Sequence, residues 1–178
     1  GNRLDGARLQ WISRVRNKPE AIFAFGLHPN VHIASENRNK LNEPIVSRLD
    51  ISSIILYVRQ RDWLDTKIVL VKEFRSAAAT EDGFIWELPG GSSPHLIDQR
   101  IIAHEEVSEE VNLDIEIERF QSHGSRQLAG TLVTHKAHLF SVALTVKELD
   151  AVLRQKGIPH GADLDNPTGE RAYTEVKT

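Results

Sequence analysis

The period of the apolar positions changes along the chain, and each change marks an expected element. Near the N-terminus Leu9, Trp11, Ile12 and Val15 recur at helical spacing behind Asp5, a good N-cap, and Pro19 closes the run. Residues 6–17 therefore read as an amphipathic helix. Residues 29–49 carry Pro29, Pro44 and many Asn, Arg and Lys, the composition of an irregular segment that drapes over a main domain. From residue 51, β-rich runs over 51–59, 67–74 and 84–88, broken by Asp62, Asp65 and the Glu81-Asp82-Gly83 turn, predict consecutive strands. A helix is expected after Pro94 to about residue 111, then a half-buried strand in which Leu113, Ile115 and Ile117 alternate with Asp114, Glu116 and Glu118. A strand over 133–143 follows, then the capping box Thr145-Val146-Lys147-Glu148 opening a helix that ends at Gly157, and a last strand over 171–176. Strands interleaved with two or three helices, without internal repeats, predict an α/β sandwich with a mixed sheet.

Composition narrows the function classes. The 178 residues, 40% hydrophobic and 26% charged, suit a globular domain and exclude a disordered or fibrous chain. With 22 basic and 25 acidic side chains the formal charge is -3, so no general nucleic-acid or membrane surface is expected. Any phosphate-binding site must be local. The absence of cysteine removes disulfides, thiolate metal sites and cysteine nucleophiles, and fits a cytoplasmic protein best. No apolar run approaches the roughly 18 residues of a membrane span. A start at Gly1 and the absence of methionine read as a trimmed product or fragment.

The chemistry concentrates in Trp86-Glu87-Leu88-Pro89-Gly90-Gly91 and the helix that carries Glu105, Glu106, Glu109 and Glu110. At 3.6 residues per turn Glu109 and Glu110 lie about 60° and 40° to either side of Glu106, so three carboxylates share a face beside a core stripe of Leu96, Ala103, Val107 and Val111. A solvated acidic face is the plain alternative. Against it, Asn112 is suited to the left-handed position beyond the helix, which puts Glu109 and Glu110 in the last turn, where the dipole disfavours anions. Repulsion at spacings of three and four adds to that cost, and a divalent cation relieves both; an all-oxygen set suits Mg2+ or Mn2+ rather than zinc. Pro89-Gly90-Gly91 after a strand makes a tight loop whose backbone can approach a ligand closely.

Together, loop and helix resemble the Nudix box of the Nudix hydrolases: glycine, five residues, glutamate, seven residues, arginine, glutamate, apolar, any, glutamate, glutamate, any, glycine, apolar. Gly91 takes the first position, Glu106, Glu109 and Glu110 the three metal-binding glutamates, and Val107 and Leu113 the apolar positions. Three positions depart from the pattern. Ile97 stands where the family has its first glutamate, Glu105 where it has arginine, and Asn112 where it has glycine. Asn112 is conservative, since asparagine tolerates the same backbone region. Glu105 adds negative charge where the family has a cation, and Arg100 on the same helix is one substitute. Upstream, the run from Val69 to Arg75 followed by Trp86 to Gly90 is similar to the ADP-ribose and nucleotide-sugar pyrophosphatase branch.

The resemblance covers residues 51–178, a Nudix-like domain preceded by an extension over residues 1–50 that in this branch often joins a homodimer. It implies a metal-dependent hydrolase that cleaves the diphosphate of a nucleoside diphosphate derivative, with ADP-ribose or a nucleotide sugar as substrate. Metal on Glu106, Glu109 and Glu110 would activate water for attack at phosphorus. One of these glutamates or Glu170 would accept a proton; a plain surface position is the alternative for Glu170. Gly90 and Gly91 would approach the substrate, and Arg75, with Arg126 and Gln127 in a loop, would pair with its diphosphate unless they are merely solvated. The alternative function is a Nudix-fold binding or regulatory module that has lost turnover through Ile97 and Glu105. A two-histidine metal pair from His135 and His138 is less favoured than half-exposed strand residues, and Trp86 and Phe84 are expected in the core rather than as a base-stacking platform. His104-Glu105 lacks the second histidine of a zinc-protease helix at Ser108, and there is no P-loop or nucleophile elbow.

Overall fold

The computed structural model describes residues 1–15, 18–93, 97–161, 164–165 and 171–177, and the chain divides into two compact units. The first contains Gly1–Ile51, Ser125–Ala137 and a short stretch beginning at Ser92. The second contains Ser52–Gly91, Ile97–Gly124 and the chain from His138 onward.

The first unit overturns the expected N-terminal helix. Strand β1 (Arg3–Val15) pairs antiparallel with β2 (Lys18–Ile33), Leu9 opposite Leu27 and Ile12 opposite Phe25. Leu9, Trp11 and Val15 satisfy a period of two as well as a helical one, and Gly6, Trp11, Ile12 and Val15 are all poorer helix formers than alanine. The partner strand decides. Trp11 lies opposite Gly26 with its indole in the space a Cβ would fill. Residues 29–49 are also more ordered than expected: a left-handed Asn37 closes a 3-10 turn, and β3 (Arg38–Lys40) and β4 (Ile45–Arg48) both pair with β2. Val46 N–H donates to Leu132 O (2.7 Å) and Val46 O accepts from Thr134 N–H (3.0 Å), which ties the later stretch to this sheet.

The second unit holds most of an eight-stranded sheet. Its strands are β5 (Ile51–Val58), β6 (Lys67–Phe74), β7 (Phe84–Glu87), β8 (Gly90–Gly91), β9 (Gln121–Gln127), β10 (Lys136–Ala143), β11 (Pro159–His160) and β12 (Ala172–Lys177). The order is β11-β12-β6-β5-β10-β9, with β7 on β6 and β8 on β5. Burial alternates along β5, placing Ile54, Leu56 and Val58 inward against Val69 and Val71 of β6. Helix α1 (Gln99–Val111) adds Ala103, Val107 and Val111 to this core, and α2 (Val146–Arg154) adds Leu149 and Val152. Leu96, assigned to the α1 stripe from sequence, lies outside the described residues.

Local signals set both helices. Asp98 caps α1 by accepting from Arg100 N–H at 2.8 Å, and Asn112 ends it at φ 50°. Thr145 and Glu148 form both halves of the capping box on α2, which ends three residues before the left-handed Gly157. The expected strand over 113–117 is absent. Leu113 and Ile115 are buried and their neighbours exposed, yet no strand pairs with them and the chain turns into a 3-10 helix at Ile117–Arg119. Alternating burial follows from an extended backbone over a core; a strand also needs a free edge to bond.

Candidate active site

The loop and helix singled out by sequence meet within the second unit. Gly90 pairs with Ser53 and Gly91 with Ser52, and Ile54 N–H donates to Pro89 O at 2.9 Å, so the loop after β7 is bound to β5. Ser52 Oγ holds the start of α1 through the Gln99 carbonyl oxygen at 2.8 Å. Gly90 packs so tightly on the Ser52 carbonyl that a Cβ there would overlap it, and a Cβ on Gly91 would overlap the Glu106 carboxylate. Gly90 N–H donates to Glu110 Oε2 at 2.9 Å. The two glycines thus bring the backbone against Glu106 and Glu110.

Glu110 is half-buried, and burial pushes its carboxyl up to about 8 against the bond from Gly90, with the charges of Glu106 and Glu73 raising it further and Arg75 opposing them. Glu109 is exposed; burial first and then Glu105 raise its pKa. Glu106 and Glu110 are therefore drawn to the loop, while Glu109 stands toward solvent.

Arg75, one residue past β6, is engaged by carboxylates. Its Nε donates to Glu87 Oε1 at 3.1 Å and its Nη2 to Glu87 Oε2 at 2.9 Å, a bidentate pair, while Nη2 stands 2.5 Å from Glu73 Oε2. Glu73 escaped the sequence reading. It follows Val69 and Val71 on the inward phase of β6 and is only 3% exposed, so a carboxylate on an apolar phase was the signal that marked it.

Other expected residues stand elsewhere. Arg126 and Gln127 end strand β9 rather than occupying a loop, and belong to the first unit. There Arg126 Nη1 bonds Ser125 O (2.8 Å) and Gln127 Nε2 bonds Val133 O (2.7 Å). His135 precedes β10 and is buried, its pKa lowered by burial and then by Arg48. Trp86, expected in the core, is 42% exposed, with Lys177 Nζ 4.6 Å from its ring centroid. It sits at a sheet position whose other side faces inward. Glu170 lies outside the described residues. Among the described residues, no three histidine, aspartate or glutamate side chains are grouped closely enough to hold a metal ion as they stand.

No protein-family model matches the sequence, and no curated protein matches it. Solved structures do. One, a crystal structure described as an ADP compounds hydrolase, is similar over 97% of this chain and 77% of its own, with a TM-score of 0.58 at 10% identity. At that identity the likeness shows the fold: an α/β architecture of Nudix type with a mixed sheet. No helix among the described residues is long and apolar enough to cross a membrane.

Proposed function

We propose that the chain is a metal-dependent hydrolase of a nucleoside diphosphate derivative, ADP-ribose or a nucleotide sugar. The observation that carries the reading is the apposition of Gly90 and Gly91 to Glu110 and Glu106. Two carboxylates one helical turn apart, held against a glycine loop, supply hard oxygen donors, and the donor chemistry fits Mg2+ or Mn2+. Glu106, Glu109 and Glu110 would hold the ion; when bound, it would lower the pKa of water and shield phosphate oxygens. Gly90 N–H orients Glu110, and the missing Cβ of Gly91 leaves Glu106 room to face the loop. One of these three glutamates, or Glu170, would accept the proton. The ADP compounds hydrolase supports the substrate class through fold alone. A homodimer through the N-terminal hairpin is part of this reading, on the strength of the exposed Leu9, Trp11, Ile22 and Phe23.

A second reading, a binding or regulatory module without turnover, is favoured by Arg75 being held by carboxylates instead of open to a phosphate. One experiment separates the two. ADP-ribose, nucleotide sugars, dinucleoside polyphosphates and nucleoside triphosphates are incubated with Mg2+, Mn2+ or chelator, and phosphate is detected after phosphatase or pyrophosphatase coupling. Chelator-sensitive turnover of ADP-ribose or a nucleotide sugar is expected. Absence of turnover on all of them, with thermal stabilisation by one, selects the binding module.

A further inference from the structure

Two carboxylates, those of Glu73 and Glu87, hold the Arg75 guanidinium, and the charge of Arg75 reaches Glu110. Arg75 grips Glu87 through two nitrogens and reaches Glu73 with one of the same pair. Glu110 senses Arg75 and Glu73 as well as Glu106. Glu73 is almost wholly removed from water, where an ionised carboxylate is tolerated only beside a cation. A lysine could satisfy Glu73 or Glu87 as a point charge; the planar fork of arginine satisfies both at once.

We propose that Arg75 is a positioning residue and the resident counter-cation of this cluster: it withdraws Glu73 and Glu87 from cation binding and leaves Glu106, Glu109 and Glu110 for the divalent ion. The inference rests on the metal-dependent reading of the same site. Arg75 is thereby reassigned from a substrate-diphosphate ligand to a group that acts through carboxylates. A cation and Arg75 compete for Glu73, so removing the guanidinium turns a buried ion pair into an additional cation ligand.

The test is calorimetric titration with Mn2+, paired with thermal unfolding in chelator, on the full chain. Arg75→Gln is expected to bind Mn2+ at least about fivefold more tightly than wild type and to unfold earlier without metal. Adding Glu73→Gln to that variant should return both values to wild type, and Arg75→Lys should fall between. Unchanged affinity in Arg75→Gln, or a gain that survives Glu73→Gln, overturns the proposal. Should Arg75→Gln not fold, Glu73→Gln alone decides: wild-type Mn2+ affinity supports the assignment, and reduced affinity overturns it by making Glu73 a ligand. If Mn2+ binds Arg75→Gln but not the wild type, the counter-cation role stands and the metal-dependent hydrolase reading fails. Binding to neither overturns both.

Discussion

At Gly91 the missing Cβ is filled by the end of a flexible side chain, whereas at Gly90 it is filled by the Ser52 backbone. The two glycines should therefore fail differently. Gly91→Ala displaces only the Glu106 carboxylate and is expected to cost under about 1 kcal/mol of stability, yet to remove most turnover, while Gly90→Ala must move backbone and should cost about 1–3 kcal/mol. Urea unfolding alongside kcat/KM checks both; equal stability losses would contradict the geometry. The glutamates give a second contrast. Glu110→Gln removes a carboxylate that burial penalises, so its melting temperature without metal should be kept or raised while turnover is lost. Exposed Glu109→Gln should likewise abolish metal-dependent turnover with little change in folding. Full activity of Glu109→Gln would remove it from the metal set. Gly90, Gly91, Glu106 and Glu110 were legible because their spacing along one strand, loop and helix fixes their meeting. Glu73 was not, since its role depends on the pairing of β6 with β7 that brings Glu87 to Arg75.

Among the elements, α2 is the one whose start the sequence announces most clearly. Thr145 and Glu148 cap it reciprocally, and Arg119 adds two bonds to Glu148, at 2.6 and 3.0 Å, while also bonding Ala143 O at 2.7 Å. The Arg119 bond, with the Thr145 bonds behind it and burial opposing, holds the Glu148 carboxyl down to about 2 from an ordinary 4.5. A depressed folded-state pKa stabilises above the unfolded value and is lost as pH falls through the folded one. Glu148→Gln should therefore cost about 1–2 kcal/mol at pH 7, since the pair is partly exposed, and the difference from wild type should shrink between pH 4.5 and 2. Urea midpoints at pH 7, 4 and 2 measure it; a difference that persists undiminished at pH 2 contradicts the assignment. The strand expected over 113–117 shows the limit of periodicity at this scale. Leu113 and Ile115 do alternate in burial, but hydrogen-bonding edges come from other parts of the chain.

For the molecule as a whole, the hairpin of β1 and β2 leaves Leu9, Trp11, Ile22 and Phe23 exposed. Light scattering should give twice the chain mass, and Trp11→Glu combined with Phe23→Glu should return a monomer; a monomeric wild type removes the dimer from the proposed function. What the sequence by itself determined is everything decided within a few residues: the strands over 51–58, 67–74 and 84–87, the caps of α1 and α2, the left-handed Asn112, and the loop-to-helix spacing that brings Gly91 to Glu106. Those outcomes depend on local backbone preference and on side-chain period. Only the tertiary structure decided that residues 3–15 extend rather than coil, because the same apolar set suits both periods and the hydrogen-bonding partner lies in β2. It alone placed Arg75 between Glu73 and Glu87, since the pairing of β6 with β7 and the low-dielectric interior beside it set which charges must neutralise one another.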